Sequence, residues 1–320
     1  MILRFKKYLS LLLILFSLHS MAQNNEQHNK AIDSYVQKLG SLDTLNMGTL
    51  AALVTKPFAD KKDMARAIFD WITYNISFDL KAARSGNTQK SSTSDVLQYR
   101  KAASNGYANL FQDMCSSVNI RCLIPDGYVK INAEQIDETK PDINHTWAVV
   151  QLGQSPEEWF YVDPTWGSGY VDAEMKNFTR SFNDAYFFSD KTIFNLQHYP
   201  DNEGWKLGAA PKSRNDFYSL PVIKAAAFEF KLLGCSPFKG HFKATTGKAQ
   251  TLSLKIDKDA IITKVSLART DRKKQIEDDA VFSFDKGTLN ITCKLMAEGS
   301  YPLTVKINGK EIIEYMVEVE

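Results

Sequence analysis

An α+β domain followed by an all-β sandwich is the fold class this sequence predicts. Three observations predict it: two amphipathic helical stripes in the first half, short strand-like runs directly after them, and a long series of strand-like runs from about residue 216 onward. At 320 residues and 44% hydrophobic content, the chain exceeds a typical single domain and has enough apolar side chains for more than one core. The expected organisation is a leader at 1–22, an N-terminal helical segment at 23–58, the α+β domain at 59–212 and the β-sandwich at 213–320.

The leader has Arg4, Lys6 and Lys7 ahead of an apolar run from Leu9 to Leu18, then small residues at Ser20 and Ala22. That order is the pattern of a secretory signal peptide cleaved after Ala22, and the apolar run is too short to span a bilayer. The expected location is periplasmic or secreted, with no transmembrane segment once the leader is removed. Removing it also removes three cations and no acid, so the formal charge of +2 becomes −1. A near-neutral chain offers no argument for nucleic acid as a partner. The cluster Arg269, Arg272, Lys273 and Lys274 has Glu277, Asp278 and Asp279 close behind it and reads as a solvated loop.

Ala31 to Val54 is fairly apolar and reads as helical. Asp60 is placed to cap a helix whose Met64, Ala67, Ile68, Trp71 and Ile72 form one stripe. After the polar stretch from Ser85 to Ser94, a second helix opens near Ser104, with Tyr107, Leu110, Phe111, Met114, Cys115 and Val118 on its buried face. Strand-like runs follow at 121–124, 127–131, 146–152 and 159–162, the last two joined by the turn-forming cluster at 153–156. In the C-terminal part, runs occur around Phe228 and at 250–256, 261–267, 281–284, 289–295, 301–307 and 312–319. Asn308-Gly309 marks a two-residue hairpin between the last pair. An immunoglobulin-like sandwich suits this spacing, although the Cys-Trp-Cys pattern of true immunoglobulin domains is missing. Four cysteines, Cys115, Cys122, Cys235 and Cys293, allow three disulfide pairings and dictate none.

The chemistry centres on three positions. If the 146–152 and 159–162 strands form a hairpin turning near Gln154 or Ser155, His145 and Asp163 come close to opposite each other and share a face. A carboxylate beside an imidazole fixes its tautomer and supports a positive charge on it. Ser104, at a helix N-terminus, sits beside unpaired backbone N–H groups and the positive end of the helix dipole. His198 has no partner visible in sequence and reads as structural. Histidines are few and no ligand-spaced Cys/His cluster exists, so neither metal nor organic cofactor is expected.

The ordered segments DMARAIFDWITYNISFD, RKAASNGYANLF, INHTWAVVQL, WFYVDPTWGSGY and FNDAYFFSDKTIFNLQHYPDNEGWKL resemble the transglutaminase-like superfamily, in particular its kyphoscoliosis-peptidase-like branch. The resemblance runs from about Asp60 to Leu207. It implies a papain-like thiol-protease fold with a Cys-His-Asp triad, in which His145 matches the base, Asp163 the acid and Ser104 the position of the cysteine. Trp147, Trp166 and Tyr107 are expected along a cleft. Serine in place of cysteine implies a catalytically weak or inactive pseudoenzyme that binds a peptide or protein, such as a cell-wall peptide. The alternative is an active peptidase or transamidase using Ser104, His145 and Asp163. Intact-mass analysis of the exported protein should find a chain that starts at Gln23; retention of residues 1–22 would overturn the leader assignment.

Overall fold

The computed structural model describes residues 25–42, 46–84, 92–172, 175–271 and 274–320. The leader at 1–22, most of the polar stretch from Ser85, and Arg272 and Lys273 lie outside the described residues. The chain divides into two compact units, Met1–Cys122 with Pro164–Phe182 and Leu123–Asp163 with Asn183–Glu320.

The first unit is mainly helical. It holds α1 (25–39), α2 (Met47–Thr55), α3 (Lys61–Asn75), α4 (Leu80–Arg84), α5 (Thr93–Tyr99), α6 (Ser104–Ser117) and α7 (Pro164–Ser168). Two short ladders accompany them: β1 (Ser77–Phe78) with β2 (Lys101–Ala102), parallel, and β8 (Gly169–Val171) with β9 (Phe178–Arg180), antiparallel. The single helical stretch expected over 31–54 is two helices. Gly40 adopts φ +66° after α1, a left-handed conformation that ends helices and suits glycine. Asp60 caps α3 as expected, its carboxylate accepting from the backbone N–H of Lys62 at 2.8 Å. Ala67, Ile68, Trp71 and Ile72 of the α3 stripe are fully buried. Each large apolar side chain so buried contributes about 1.5–3 kcal/mol. On α6, Tyr107, Leu110, Phe111, Met114 and Cys115 form the corresponding buried face. Gly167 of α7 is needed for close approach, because a Cβ there would stand 2.4 Å from the Phe69 ring of α3.

β3 (Arg121–Leu123), whose first two residues belong to the first unit, leads into β4 (Asp126–Val129), which in the second unit is the centre of a three-stranded antiparallel sheet. Its neighbours are β5 (His145–Thr146) and β10 (His198–Pro200). The expected hairpin is present: β6 (Ala148–Gln151) pairs with β7 (Trp159–Val162), and a Ser155–Glu158 capping box shapes the turn. Two helices follow, α8 (Lys191–Gln197) and α9 (Arg214–Ser219). Among the described residues, no helix is long and apolar enough to cross a membrane.

The C-terminal part is a two-sheet sandwich. One sheet runs β11 (Val222–Ile223), β20 (Lys310–Val319), β19 (Gly299–Ile307), β15 (Val265–Asp271), β16 (Lys274–Asp279), with β13 (His241–Ala244) added parallel to β20. The other runs β12 (Gly234–Ser236), β14 (Ala249–Lys255), β18 (Thr288–Lys294), β17 (Val281–Asp285). Leu252, Leu254, Leu289 and Ile291 from one sheet share a core with Val265, Val305, Ile313 and Val317 from the other. Asn308 and Gly309 both take positive φ, as the tight β19–β20 hairpin requires. Three local expectations change. Phe228 follows a short 3₁₀ turn, Ala225–Ala227, rather than lying in a strand. The strand expected at 261–267 begins at Val265. Arg269 and Lys274 belong to the β15–β16 hairpin rather than a loop, with Arg269 paired to Ile276 and Lys274 to Asp271.

Lys130, at the end of β4, is buried. Its ammonium donates to the carbonyls of Phe217 (2.5 Å) and Leu220 (2.6 Å) and sits 4.8 Å from the Phe217 ring centre. Burial lowers its pKa to about 7, with Asp137 pulling weakly the other way. Between pH 7 and 10 the unfolded chain therefore holds a proton that the folded chain has released, so stability rises with pH across that window. The limiting slope for one proton is about 1.4 kcal/mol per pH unit. Urea unfolding at pH 7 and pH 9 should show a gain in wild type that exceeds the gain in Lys130→Met by about 2 kcal/mol. Equal gains in the two proteins would remove Lys130 as the cause.

Candidate functional site

The second unit assembles a buried cluster of two imidazoles and one carboxylate. Backbone register brings the imidazoles together: His145 of β5 pairs with Gly127 of β4, and His198 of β10 pairs with Val129 of the same strand. Positions 127 and 129 lie two residues apart and so share a face of β4, which places both histidines on that face from opposite neighbours. Gly127 is the residue that permits this. A Cβ there would meet the Tyr199 carbonyl oxygen at 2.3 Å and the Trp147 ring at 2.7 Å.

Asp163 enters from the end of β7. The Ala148–Val162 pair, extended by one step, puts Trp147 beside Asp163, so His145 is its diagonal neighbour, close to opposite it. Side-chain length closes the gap. His145 Nε2–H donates to Asp163 Oδ2 at 2.7 Å. His198 Nε2–H donates to the same oxygen at 3.1 Å. The Asp163 backbone N–H is held by the Tyr186 carbonyl at 2.9 Å.

All three side chains are buried, and Asp163 has no exposed surface. Burial pushes the Asp163 carboxyl up, but the charge and hydrogen bond of His145 and the hydrogen bond of His198 outweigh it and hold the group well below the usual carboxylate range. Burial lowers the His198 pKa to about 4 against the opposing pull of Asp163. The ligating atoms of the three residues lie within 4.8 Å of one another, close enough to consider a metal ion. The 2.7 and 3.1 Å separations are hydrogen-bond distances, shorter than the roughly 3.3 Å between tetrahedral ligands of a zinc ion. The donor set is therefore arranged for proton sharing.

An aromatic stack fixes His198. The Tyr161 and Phe194 rings stack at 4.2 Å and 13°, and Phe194 stacks on His198 at 3.8 Å and 7°. Tyr161 is tied by its hydroxyl to Asn195 and to the Trp205 carbonyl, each at 2.8 Å. Trp147 packs edge-on against His198 at 5.2 Å.

Ser104 belongs to the first unit, where it is the first residue of α6 and half-buried. Ala103 precedes it in extended conformation and contributes no side-chain cap. Of the three aromatic residues expected along a cleft, two are core residues instead. Tyr107 is fully buried with its hydroxyl donated to the Ile76 carbonyl at 2.8 Å, and Trp147 has no exposed surface. Trp166 is half-buried. His198, read from sequence as structural, is the residue that reading missed. The HYP triplet lies within the last segment of the family resemblance, which was the available signal; the β4 pairing that delivers it was not visible.

Residues 48–164 match the model of the transglutaminase-like superfamily. Human kyphoscoliosis peptidase is 30% identical over 234 residues, covering 73% of this chain and 34% of the relative. A Caenorhabditis elegans protein named Lim and transglutaminase domain protein ltd-1 is 26% identical over 185 residues, covering 53% of this chain and 24% of its own length. The chain thus spans about a third or less of these relatives. Among solved structures, a TGase covers 49% of this chain and 36% of its own at TM-score 0.30 and 16% identity. A structure titled a putative protease from Parabacteroides distasonis covers 90% and 53% at TM-score 0.28 and 13% identity. The chain carries a transglutaminase-like domain. Its sequence places that domain on the kyphoscoliosis-peptidase-like branch.

The depressed Asp163 pKa has a thermodynamic sign. A carboxyl whose folded pKa lies below its unfolded value adds stability at pH above about 4, and that stability is lost as pH falls through the folded value. Asp163→Asn should cost about 3 kcal/mol at pH 7, because two buried imidazoles lose their charged acceptor. In chemical denaturation, the gap between wild type and variant should narrow below about pH 4; a gap that is constant with pH would contradict an ionised Asp163.

Proposed function

We propose that this chain is an exported transglutaminase-like protein that performs slow acyl transfer at an amide of a peptide or protein, with Ser104 as nucleophile, His145 as general base and Asp163 as the group that orients the base. The observation that carries this reading is the buried, hydrogen-bonded His145–Asp163 pair. With Nε2 engaged by Asp163, proton exchange falls to Nδ1 of His145. In the proposed step, the Ser104 hydroxyl attacks the amide carbonyl as its proton passes to Nδ1, and the imidazolium then protonates the departing amine. The N–H groups of the first turn of α6 are the natural donors to the developing oxyanion. This chemistry requires Ser104 Oγ to come within about 3 Å of the ring.

Serine makes the reaction slow. A cysteine at a helix N-terminus beside an imidazole is already a thiolate, whereas a hydroxyl must be deprotonated during attack. Ser104 itself favours a second reading, in which the protein binds its peptide without turning it over. The export assignment rests on the charge and apolar pattern of residues 1–22.

A fluorophosphonate probe separates the two readings. Acyl transfer predicts covalent labelling at Ser104 in wild type and none in Ser104→Ala. Ser104→Cys should react with iodoacetamide at about pH 6, where an ordinary thiol is protonated, and should exceed wild-type turnover by at least about 100-fold. An unlabelled Ser104 in wild type, together with a reactive thiol in Ser104→Cys, would favour binding without turnover. If the serine is unlabelled and the introduced thiol has ordinary reactivity, neither reading stands.

A further inference from the structure

His198 is a titratable group that the proposed chemistry does not use, yet it is built into the site as firmly as His145. Its ring is fully buried, stacked on Phe194 at 3.8 Å, and held by β10 opposite Val129. Its Nε2 shares one oxygen, Asp163 Oδ2, with His145. We propose that His198 is a positioning residue that divides the Asp163 carboxylate with His145 and so sets how strongly that carboxylate holds the His145 proton. This inference rests on the acyl-transfer reading only for its consequence for rate.

His198 Nδ1 lies 3.3 Å from the Phe194 carbonyl, a contact that an imidazolium would use as a second donor. The cost of burying that charge prevails, and burial lowers the pKa to about 4, so the ring is neutral at pH 7. A neutral ring has one N–H, and the carboxylate draws it to Nε2. That N–H takes up negative charge on Oδ2 which would otherwise act on His145. The effect is to weaken the Asp163 pull on His145 without adding a charge. A serine nucleophile benefits, because it needs a neutral imidazole as base, while a thiolate site gains from a charged one.

The neighbouring charged and titratable groups are otherwise engaged. Tyr186 interacts with Asp163 but is kept protonated by burial. Asp126 on β4 accepts from the Thr146 hydroxyl at 2.7 Å, and Lys130 is held by Phe217 and Leu220.

The test is NMR of the histidine ring N–H protons in the full chain. His198→Phe removes the donor and keeps a ring on Phe194; His198→Gln keeps a neutral N–H near the position of Nε2. The His145 Nε2–H proton should move downfield in His198→Phe, as its hydrogen bond to Oδ2 strengthens, and return to the wild-type position in His198→Gln. His198→Asn, too short to reach Asp163, replaces His198→Phe if that variant does not fold. A purely structural His198 would lower the melting temperature in all variants without moving the His145 N–H signal, and that result would overturn the proposal. The N–H signal needs no turnover. An unlabelled Ser104 with a moved signal therefore sinks only the acyl-transfer reading, and a labelled Ser104 with an unmoved signal sinks only this inference.

Discussion

A carboxylate with no access to water is the constraint around which the second unit is organised. An ion such as Asp163 loses several kilocalories per mole of hydration on burial, and only close donors make it tolerable. Two imidazole N–H groups converge on one of its oxygens, and the Tyr186 carbonyl fixes its backbone. The strand pairings beside β4, the glycine at 127 and the three-ring stack from Tyr161 to His198 all serve that convergence.

Sheet geometry explains why two histidines separated by 53 positions meet. β4 is short, yet its neighbours on both sides present an imidazole within two residues of register. An antiparallel sheet makes the arrangement rigid, because a slip of one residue would turn a ring to the opposite face. The glycine removes the one Cβ that would push β10 and Trp147 away. Packing thus sets proton chemistry: the same contacts that order the core decide which ring nitrogen faces the acid.

Much of this was legible before any coordinates. Periodicity located α3 and α6 together with their buried faces, because a 3.6-residue stripe reports burial directly. Asn308-Gly309 identified its hairpin because few residues tolerate positive φ. His145 and Asp163 were readable as partners since the turn between them is local. His198 was not, because its contact depends on β10 joining β4, a pairing across some 70 residues that leaves no local pattern. Tyr107 and Trp147 read equally as cleft wall or core, because aromatic residues near a site suit either and composition does not distinguish the two. The strand read around Phe228 is a 3₁₀ turn, since an isolated apolar residue among alanines carries no period.

Trp147 packs beside both imidazoles, 6.2 Å from the His145 ring and 5.2 Å from that of His198, in full isolation from solvent. Excited indole transfers an electron readily to a protonated imidazole and poorly to a neutral one. With the other four tryptophans of the chain replaced, the emission of this buried indole becomes an optical gauge of the charge on its neighbours, readable without any substrate.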